Sequence, residues 1–418
     1  MTKLCRCAWV LFLATIALAQ PGEIAPNENL VAEGIPKIPA ALAETVDRYT
    51  NFRAAYLESW DPLKREMLIT TRFADTLQVH LLKMPGGART QLTFYNDSVP
   101  SAAFSPTKSD TFLFSKDVGG GEFYQLYRFD VPTGDVTLLT DGKSRNIGAV
   151  WSEAGDRVVY GSTRRTGNDV DLYAINPADP KSDHLLAELQ GGGWEALDWS
   201  PDHKKILAVE AISINETYLW TIDAATGEKV LLTPKGGVKV AYLGGRFSKD
   251  GKALYVTTDK DSEFQRLAYV DLATKQHTYL TSHIRWDVDE FDLSDDGKMI
   301  AFVTNEDGFG MLHLLDTRTG KEKLLPQLPK GIVSGVHWHK NNRDLGFNIA
   351  SARSTSDVYS LDVRSGKVER WTFSETGGLN TANFSEPELI HWKSWDGKNI
   401  SGFVYRPPAR FTGKRPVI

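Results

Sequence analysis

Two histidines separated by one residue have a spacing that could do chemistry. His337 and His339 flank Trp338, and residues two apart share one face of a β-strand, as paired metal ligands can. No third ligand is apparent in the sequence. We therefore favour histidines of the core or of a contact between structural units over a metal site, and we expect no metal and no other cofactor.

Other motifs for catalysis are absent or incomplete. The sequence has no Gly-x-Ser-x-Gly, the turn that exposes a nucleophilic serine, and no phosphate-binding Walker loop. The glycine runs GGGEFY and GGGWEA do not complete a dinucleotide fingerprint, and DKDSEF lacks the glycine and the distal glutamate of a calcium loop. We therefore predict no catalytic residues within these 418 positions.

A repeat of forty-odd residues must position whatever side chains are functional. An aromatic residue or leucine followed by a polar turn recurs at positions 60, 104, 151, 199, 247, 293 and 338, and a second marker such as LLT follows each by about thirty residues. The copy near HLLAEL is degraded. Two markers that stay in phase over seven periods indicate a repeat architecture.

Each repeat is typical of four short strands. The second copy divides into VPSAAFS, TFLFSK, YQLYRFD and DVTLLT, with turns of the Asp-Gly type and of the Asp-x-x-Thr/Ser-Gly type. Seven such units predict an all-β, seven-bladed β-propeller over residues 51–373. No terminal strand is left over, so we expect blades one and seven to pack together without a shared sheet, and we expect the ring to part more easily at that seam.

The loops between second and third strands carry uneven charge. We expect them on one face, where variable loops on a rigid scaffold often bind ligands. One side is acidic and the other bears arginines, an arrangement that could orient a peptide; the alternative is that exposed loops are simply polar. The acidic side has Glu210, Glu216, Asp259, Asp261, Glu263, Glu306 and Asp307 against Lys260, and the other side has Arg72, Arg164, Arg165 and Arg353 beside Asp75, Asp169 and Asp357.

The first nineteen residues have the layout of a secretory signal peptide. Lys3 and Arg6 precede an apolar run and the small-residue site that ends at Ala19. The apolar run is too short for a membrane span. We expect an exported protein, periplasmic or extracellular after cleavage near Ala19, and its net charge of −5, without a long run of one sign, gives no indication of nucleic-acid binding.

Three passages resemble one family. Residues 48–94, 115–130 and 392–418 resemble the first blade, the second-blade loop and the hydrolase junction of the prolyl oligopeptidase family of serine peptidases, in its bacterial dipeptidyl-aminopeptidase and acylaminoacyl-peptidase-like branch. The resemblance implies a propeller that restricts access to short peptides and a catalytic α/β-hydrolase domain as its partner. The serine, aspartate and histidine of that domain match no position here and are expected beyond Ile418.

The resemblance also suggests a division of the chain. Residues 20–50 would be an N-terminal arm, and residues 374–418 a linker with the first strands of a truncated hydrolase domain. Without that domain, we expect residues from about 375 onward to be poorly anchored, with Ile390, Trp392, Phe403 and Tyr405 exposed.

The resemblance further implies that exopeptidase relatives bind the free amine of a substrate with propeller acids, but no acid here matches theirs residue by residue. The candidate substrate-binding residues are therefore Glu122, Glu210 and Glu263, with Arg164 and Arg165 from the arginine-bearing loops. Two alternatives stay open: an independent exported TolB-like propeller that acts as a binding module, and a propeller enzyme with its own channel site. The parent would be a peptidase, whereas we expect this chain alone to be inactive.

Overall fold

The fold is a seven-bladed β-propeller, as the repeat predicts. The computed structural model describes residues 22–409, 411–414, 416 and 417, so the predicted signal peptide lies outside the described residues. Seven separate four-stranded antiparallel sheets follow one another along the chain. In each sheet the first strand is innermost, and these inner strands surround a central channel.

The strands have the following bounds. Blades one to three contain β1 (Ala55–Trp60), β2 (Met67–Thr71), β3 (Gln78–Leu82), β4 (Arg89–Gln91), β5 (Ser101–Phe104), β6 (Thr111–Lys116), β7 (Gln125–Asp130), β8 (Val136–Leu138), β9 (Asn146–Trp151), β10 (Val158–Ser162), β11 (Asp171–Asn176) and β12 (Asp179–Ala187). Blades four and five contain β13 (Trp194–Trp199), β14 (Lys205–Ser213), β15 (Glu216–Asp223), β16 (Lys229–Leu231), β17 (Tyr242–Phe247), β18 (Ala253–Thr258), β19 (Arg266–Asp271) and β20 (His277–Tyr279). Blades six and seven contain β21 (Val288–Leu293), β22 (Met299–Glu306), β23 (Phe309–Asp316), β24 (Lys321–Glu322), β25 (Ile332–Trp338), β26 (Asp344–Ser351), β27 (Ser354–Asp362) and β28 (Lys367–Arg370).

The threonine of the LLT marker recurs because it has a structural role. In five blades its hydroxyl accepts a hydrogen bond from a third-strand amide fourteen residues earlier, for example from Val79 to Thr93 at 2.9 Å and from Val358 to Thr372 at 2.9 Å. This bond satisfies an amide that would otherwise be buried without a partner. In the degraded third copy, Asp171 accepts the amide of Leu189. That copy nevertheless forms a nine-residue outer strand, β12.

The first turn of several blades is a tight turn with one left-handed residue. In the pairs Asp250-Gly251 and Asp296-Gly297 the glycine has a positive φ, of 68° and 69°, whereas the aspartate does not. The amide of Gly251 donates to Ser248, so the turn is a type I turn followed by a left-handed residue. His203 and Asn342 take the same left-handed position in blades four and seven.

Seven hydrophobic clusters hold the blades together. Each cluster draws residues from two neighbouring blades, so each of the seven interfaces has its own apolar core. The cluster that closes the ring combines Leu57 and Trp60 of blade one with Val358 and Trp371 of blade seven. Blades one and seven share no sheet, as expected. The ring is therefore closed by side-chain packing.

Polar contacts reinforce this closing seam. Arg65 of blade one reaches across to Asp344 at 3.1 Å and Glu369 at 2.7 Å, and its guanidinium lies 4.9 Å from the Trp371 ring centre. The indole of Trp60 donates to the carbonyl of His337 at 2.9 Å. The other histidine of the pair, His339, is buried in the same seam and contacts the carbonyl of Lys64 at 3.0 Å.

Within the described residues, three elements lie outside the blades. Helix α1 (Ala40–Thr50) precedes β1, a 3-10 turn covers Thr381–Asn383, and β29 (Glu388–Lys393) pairs with β30 (Asn399–Val404) in a hairpin. Phe52, just before the first blade, forms an isolated β-bridge with Thr376, just after the last blade. None of the described residues after Thr372 is buried. Within the described part of the chain, no helix has the length and hydropathy to cross a membrane.

Arg65→Ala should weaken the closing seam. We expect a loss of about 2 kcal/mol in the free energy of unfolding, because the substitution leaves the buried carboxyl of Asp344 without its arginine. Chemical denaturation measures the change. The control Lys298→Ala removes an exposed ion pair within blade six and should cost less than about 0.5 kcal/mol. Equal effects of the two variants would contradict the role of Arg65.

Candidate functional site

Two surfaces could be functional: the central channel and one end of the ring. We call that end the loop face. It contains the connections between the second and third strands, at residues 72–77, 117–124, 163–170, 214–215, 259–265, 307–308 and 352–353. The five predicted substrate-binding residues lie on or beside these loops.

Glu122 lies exposed at the end of the second-blade loop. Its backbone has a positive φ of 60°, and its amide donates to the carboxylate of Asp117 at 2.8 Å. The buried Asp117 therefore fixes the backbone of this tight turn. Among the described residues none contacts the Glu122 carboxylate, so this side chain is open to a ligand on the loop face.

The two arginines of the third blade are held by carboxylates. Arg164 donates to Asp183 at 2.6 Å and to the Tyr160 hydroxyl at 2.7 Å. Arg165 makes two bonds to the fully buried Asp171, at 2.8 and 2.9 Å. Paired contacts of this kind are the strong form of the arginine–carboxylate interaction. Both guanidinium groups thus stabilise blade three itself, and a substrate would have to compete with these partners.

The two acids of blades four and five have different surroundings. Glu210 is largely covered and accepts from the Trp220 indole at 2.9 Å and from Lys235 at 2.8 Å. Glu263 lies exposed on the loop face and pairs with Lys398 at 3.0 Å. The five predicted residues therefore do not converge on one site: three are engaged within a blade, one pairs with the hairpin and one is unengaged.

The hairpin of β29 and β30 docks on the loop face beside blades five to seven. Phe403 packs edge-on against Phe309 with ring centres 5.0 Å apart, and His391 lies 3.3 Å from Asp307. Gly308 permits this approach, because a Cβ there would meet the Phe403 ring at 2.6 Å. Trp392 and Tyr405 remain 48% and 59% exposed, as expected, whereas Ile390 and Phe403 are half-buried.

The channel wall carries acids that the sequence analysis did not select. Glu58 on β1, Glu195 and Asp198 on β13, and Glu290 and Asp292 on β21 all belong to inner strands. Several of them accept backbone amides from the following blade: Asp198 from Phe247 at 2.7 Å, Glu290 from Gly335 at 2.7 Å, and Asp292 from Trp338 at 2.8 Å. These carboxyls therefore join neighbouring blades as well as lining the channel.

Burial changes the acidity of these groups. Burial raises the pKa of Glu58 to about 7, against hydrogen bonds from the Thr70 hydroxyl and the Ala102 amide. Burial likewise raises the pKa of Asp198 to about 6, although the nearby charge of Arg246 opposes the shift. Glu195 is open to the channel, yet its protein surroundings displace enough water to raise its pKa as well. Perturbed acids in a concave site are candidates for function.

The sequence did contain a signal for the channel acids. In the repeats, Glu58 stands two positions before the aromatic marker, and Asp198 and Asp292 stand one position before it. The bulges in β1, β13 and β21 lie near these residues. An alignment of the repeats would therefore have placed these acids on the inner strands, but it could not have revealed their burial.

Among the residues that the structure describes, one hydroxyl–imidazole–carboxylate chain is present, in blade six. The Thr304 hydroxyl lies 3.0 Å from Nε2 of His313, whose Nδ1 lies 2.9 Å from Glu322. This is the order of groups that activates a nucleophile. Thr304 is fully buried, however, so a substrate carbonyl cannot reach its hydroxyl. Among the described residues, no three His, Cys, Asp or Glu side chains are grouped so that they could hold a metal ion.

The chain is similar in sequence to two bacterial peptidases. It is 22% identical to dipeptidyl-peptidase 5 of Porphyromonas gingivalis over an alignment of 229 residues. This alignment covers 52% of this chain and 32% of the relative. It is 24% identical over 188 residues to dipeptidyl aminopeptidase BIII of Pseudoxanthomonas mexicana, covering 43% of this chain and 26% of the relative. These matches thus span about a third or less of each relative's length. No family model matches the chain.

The fold is similar to that of larger peptidases and hydrolases. A prolyl endopeptidase structure superposes with a TM-score of 0.72 at 16% identity, covering 88% of this chain and 56% of the other. A puromycin hydrolase structure superposes with a TM-score of 0.70 at 18% identity, covering 86% of this chain and 59% of the other. Prolyl oligopeptidase B of Galerina marginata superposes with a TM-score of 0.70 at 11% identity, covering 87% of this chain and 56% of the other. The sequence similarity to the two dipeptidyl peptidases and the shared propeller fold together confirm the resemblance to the prolyl oligopeptidase family.

Glu58→Gln should remove one contribution to the pH dependence of stability. Because the folded-state pKa of Glu58 is raised to about 7 from 4.5, the wild type is stabilised below pH 4.5 and loses that stability as the pH rises to 7, at a slope of about 1.4 kcal/mol per pH unit. Asp198 contributes in the same direction only up to about pH 6. His80, His277 and His337, whose pKa values burial lowers from 6.5, contribute in the opposite direction in this interval, so Glu58 is isolated by the difference in slope between the wild type and Glu58→Gln.

Denaturation midpoints at pH 6.0, 6.5 and 7.0 measure this slope. The slope of stability against pH should be more positive in Glu58→Gln than in the wild type by about 1 kcal/mol per pH unit, whereas Glu28→Gln, at an exposed position of the N-terminal arm, should keep the wild-type slope. If Glu58→Gln keeps the wild-type slope, the carboxyl does not titrate in this interval.

Phe403→Ala should loosen the hairpin from the loop face. We expect proteases to cleave between residues 374 and 404 roughly tenfold faster, because a lost contact of about 1.4 kcal/mol raises the open population tenfold. Limited proteolysis followed by mass spectrometry measures the rate and the sites. Trp395→Ala, at a side chain that is 98% exposed, is the matched control and should leave the rate unchanged. Identical digestion of wild type and Phe403→Ala would mean that Phe403 does not anchor the hairpin.

Proposed function

We propose that this chain is the substrate-gating propeller of an exported serine oligopeptidase or aminopeptidase that hydrolyses short peptides. The observation that carries the proposal is the sequence similarity to two dipeptidyl peptidases, which extends over 52% and 43% of the chain. The propeller fold that it shares with a prolyl endopeptidase is consistent with this reading.

In this proposal the chemistry belongs to a partner hydrolase domain. A serine activated by a histidine would attack the peptide carbonyl, and backbone amides would stabilise the oxyanion. The propeller chain has no accessible nucleophile arranged for this step among its described residues, since Thr304 is buried. Its contribution would be to cover the site and to exclude folded proteins.

The closed ring supports a gating role on physical grounds. Seven apolar interfaces and the Arg65 contacts resist widening of the channel, so a folded protein could not pass through without breaking an interface. Glu122 and Glu263 lie exposed on the loop face, where a peptide amine could reach them. The docked hairpin lies on this same face, which makes the loop face the side on which we propose that the catalytic domain sits.

Hydrolysis assays test the division of labour. The purified chain should release no p-nitroaniline from aminoacyl- or dipeptidyl-p-nitroanilides, because it would lack the nucleophile. A protein in which the coding sequence continues into a hydrolase domain should cleave these substrates and short peptides but not folded proteins. Robust turnover by the chain alone would refute the proposal. A full-length product that binds peptides without cleaving them would favour an independent binding propeller.

A further inference from the structure

The chain directly connects every pair of neighbouring blades except blades one and seven. Each other connection leads from the outer strand of one blade to the inner strand of the next, as from β4 to β5. Blade one begins the ring and blade seven ends it, so their junction has no such connection. Residues 374–377, which follow the last blade, lie at this junction. We call them the strap, because they contact both blades.

The strap is attached to blade seven through Ser374. Its amide donates to the carboxylate of Asp357 at 2.9 Å, and its hydroxyl donates to the carbonyl of Ser356 at 3.1 Å. Asp357 is fully buried and also accepts from the hydroxyl of Thr372 at 2.7 Å. The first residue of the strap therefore has a fixed position on blade seven.

The strap is also attached to blade one and to the residues that lead into it. Arg89 of β4 donates to the Ser374 hydroxyl at 3.3 Å. The amide of Arg53 donates to the carbonyl of Glu375 at 3.0 Å, and the Arg53 guanidinium lies 3.1 Å from the Glu375 carboxylate. The isolated β-bridge at Thr376 continues this pairing. The strap thus spans the junction that the chain itself leaves unconnected.

The end of the strap lies against helix α1. Gly377 has a φ of 62°, and a Cβ at this position would lie 2.2 Å from the carbonyl oxygen of Arg48. Beyond the strap, Phe384 stacks on Tyr49 of the same helix with ring centres 6.0 Å apart, and the chain then enters the docked hairpin. The segment between the seam and the hairpin is therefore held along its length.

We propose that the strap adds to the apolar packing that closes the ring and couples this closure to docking of the hairpin. None of the strap residues is buried, and segments with few buried contacts open at a low free-energy cost. Release of the hairpin would free the strap from blade one, and the seam would then open more often. Such coupling is reciprocal, so opening of the seam must also loosen the hairpin. The inference concerns ring closure and does not depend on the peptidase proposal.

Hydrogen exchange of the Leu57 amide measures opening of the seam, because this amide donates across it to the side chain of Asn348 at 2.9 Å. Gly377→Ala should raise the exchange rate roughly tenfold, since the added methyl group displaces the strap from Arg48. Gly378→Ala is the matched control: its φ of 73° is similar, but a Cβ there meets no atom within 4 Å. Equal exchange rates in the two variants would overturn the proposal.

The dependence of this exchange on denaturant distinguishes opening of the seam from unfolding. It should be shallow, because separation of two blades exposes less surface than unfolding of the chain does. A dependence as steep as that of global unfolding would contradict a separate opening of the seam. If Gly377→Ala does not fold, Arg53→Ala keeps the test valid. It removes the ion pair with Glu375 and should raise the exchange rate of Leu57 roughly two- to fivefold, and no change there would also overturn the proposal.

Variants of the hairpin and of the seam test the coupling in both directions. Phe403→Ala should raise the exchange rate of Leu57 roughly three- to tenfold, whereas Trp395→Ala, at an exposed position of the same hairpin, should keep it within about twofold of the wild type. Arg65→Ala, which weakens the seam, should speed proteolytic cleavage of the hairpin. Unchanged exchange of Leu57 in Phe403→Ala, or unchanged cleavage in Arg65→Ala, would overturn the coupling.

Discussion

Packing between neighbouring blades is the interaction on which the rest of the structure depends. No sheet is shared between blades, so backbone hydrogen bonds hold each blade together but do not close the ring. Closure comes from seven apolar clusters, each made by two neighbours. Inner-strand carboxyls add to these clusters by accepting amides across the interfaces, as Asp198 and Glu290 do. The channel wall and the fold are therefore stabilised by the same side chains.

This double role affects what the channel can do. A carboxyl that joins two blades is partly removed from water, which is why burial raises the pKa values of Glu58 and Asp198. Between β5 and β9 the inner strands approach less closely, and small side chains leave a cavity in the wall. The channel wall therefore differs from blade to blade, in its buried carboxyls and in the spacing of its inner strands. The loop face is only one of the places where the blades differ.

The sequence predicts the fold well because the repeat markers have structural roles. The marker threonine binds a third-strand amide, and the aspartate of the Asp-x-x-Thr/Ser-Gly turn binds amides ahead of it, as Asp223 does with Thr226 at 2.9 Å. Such local interactions leave a periodic trace. The candidate site was harder to predict, because it depends on contacts between distant residues. Arg165 looked available for a substrate, but the loop between β10 and β11 folds so that its guanidinium bonds to Asp171. The burial of Glu58 is likewise a property of the assembled ring.

Seven self-contained blades closed by the packing of blade one against blade seven explain the whole ring. An experimentally determined structure of the chain would show whether the ring closes in this way. We predict seven four-stranded sheets, with the Arg65 guanidinium in contact with Asp344 and Glu369 and with no backbone pairing between β1 and blade seven. Six or eight blades, or a strand of blade one incorporated in the sheet of blade seven, would contradict this mode of closure.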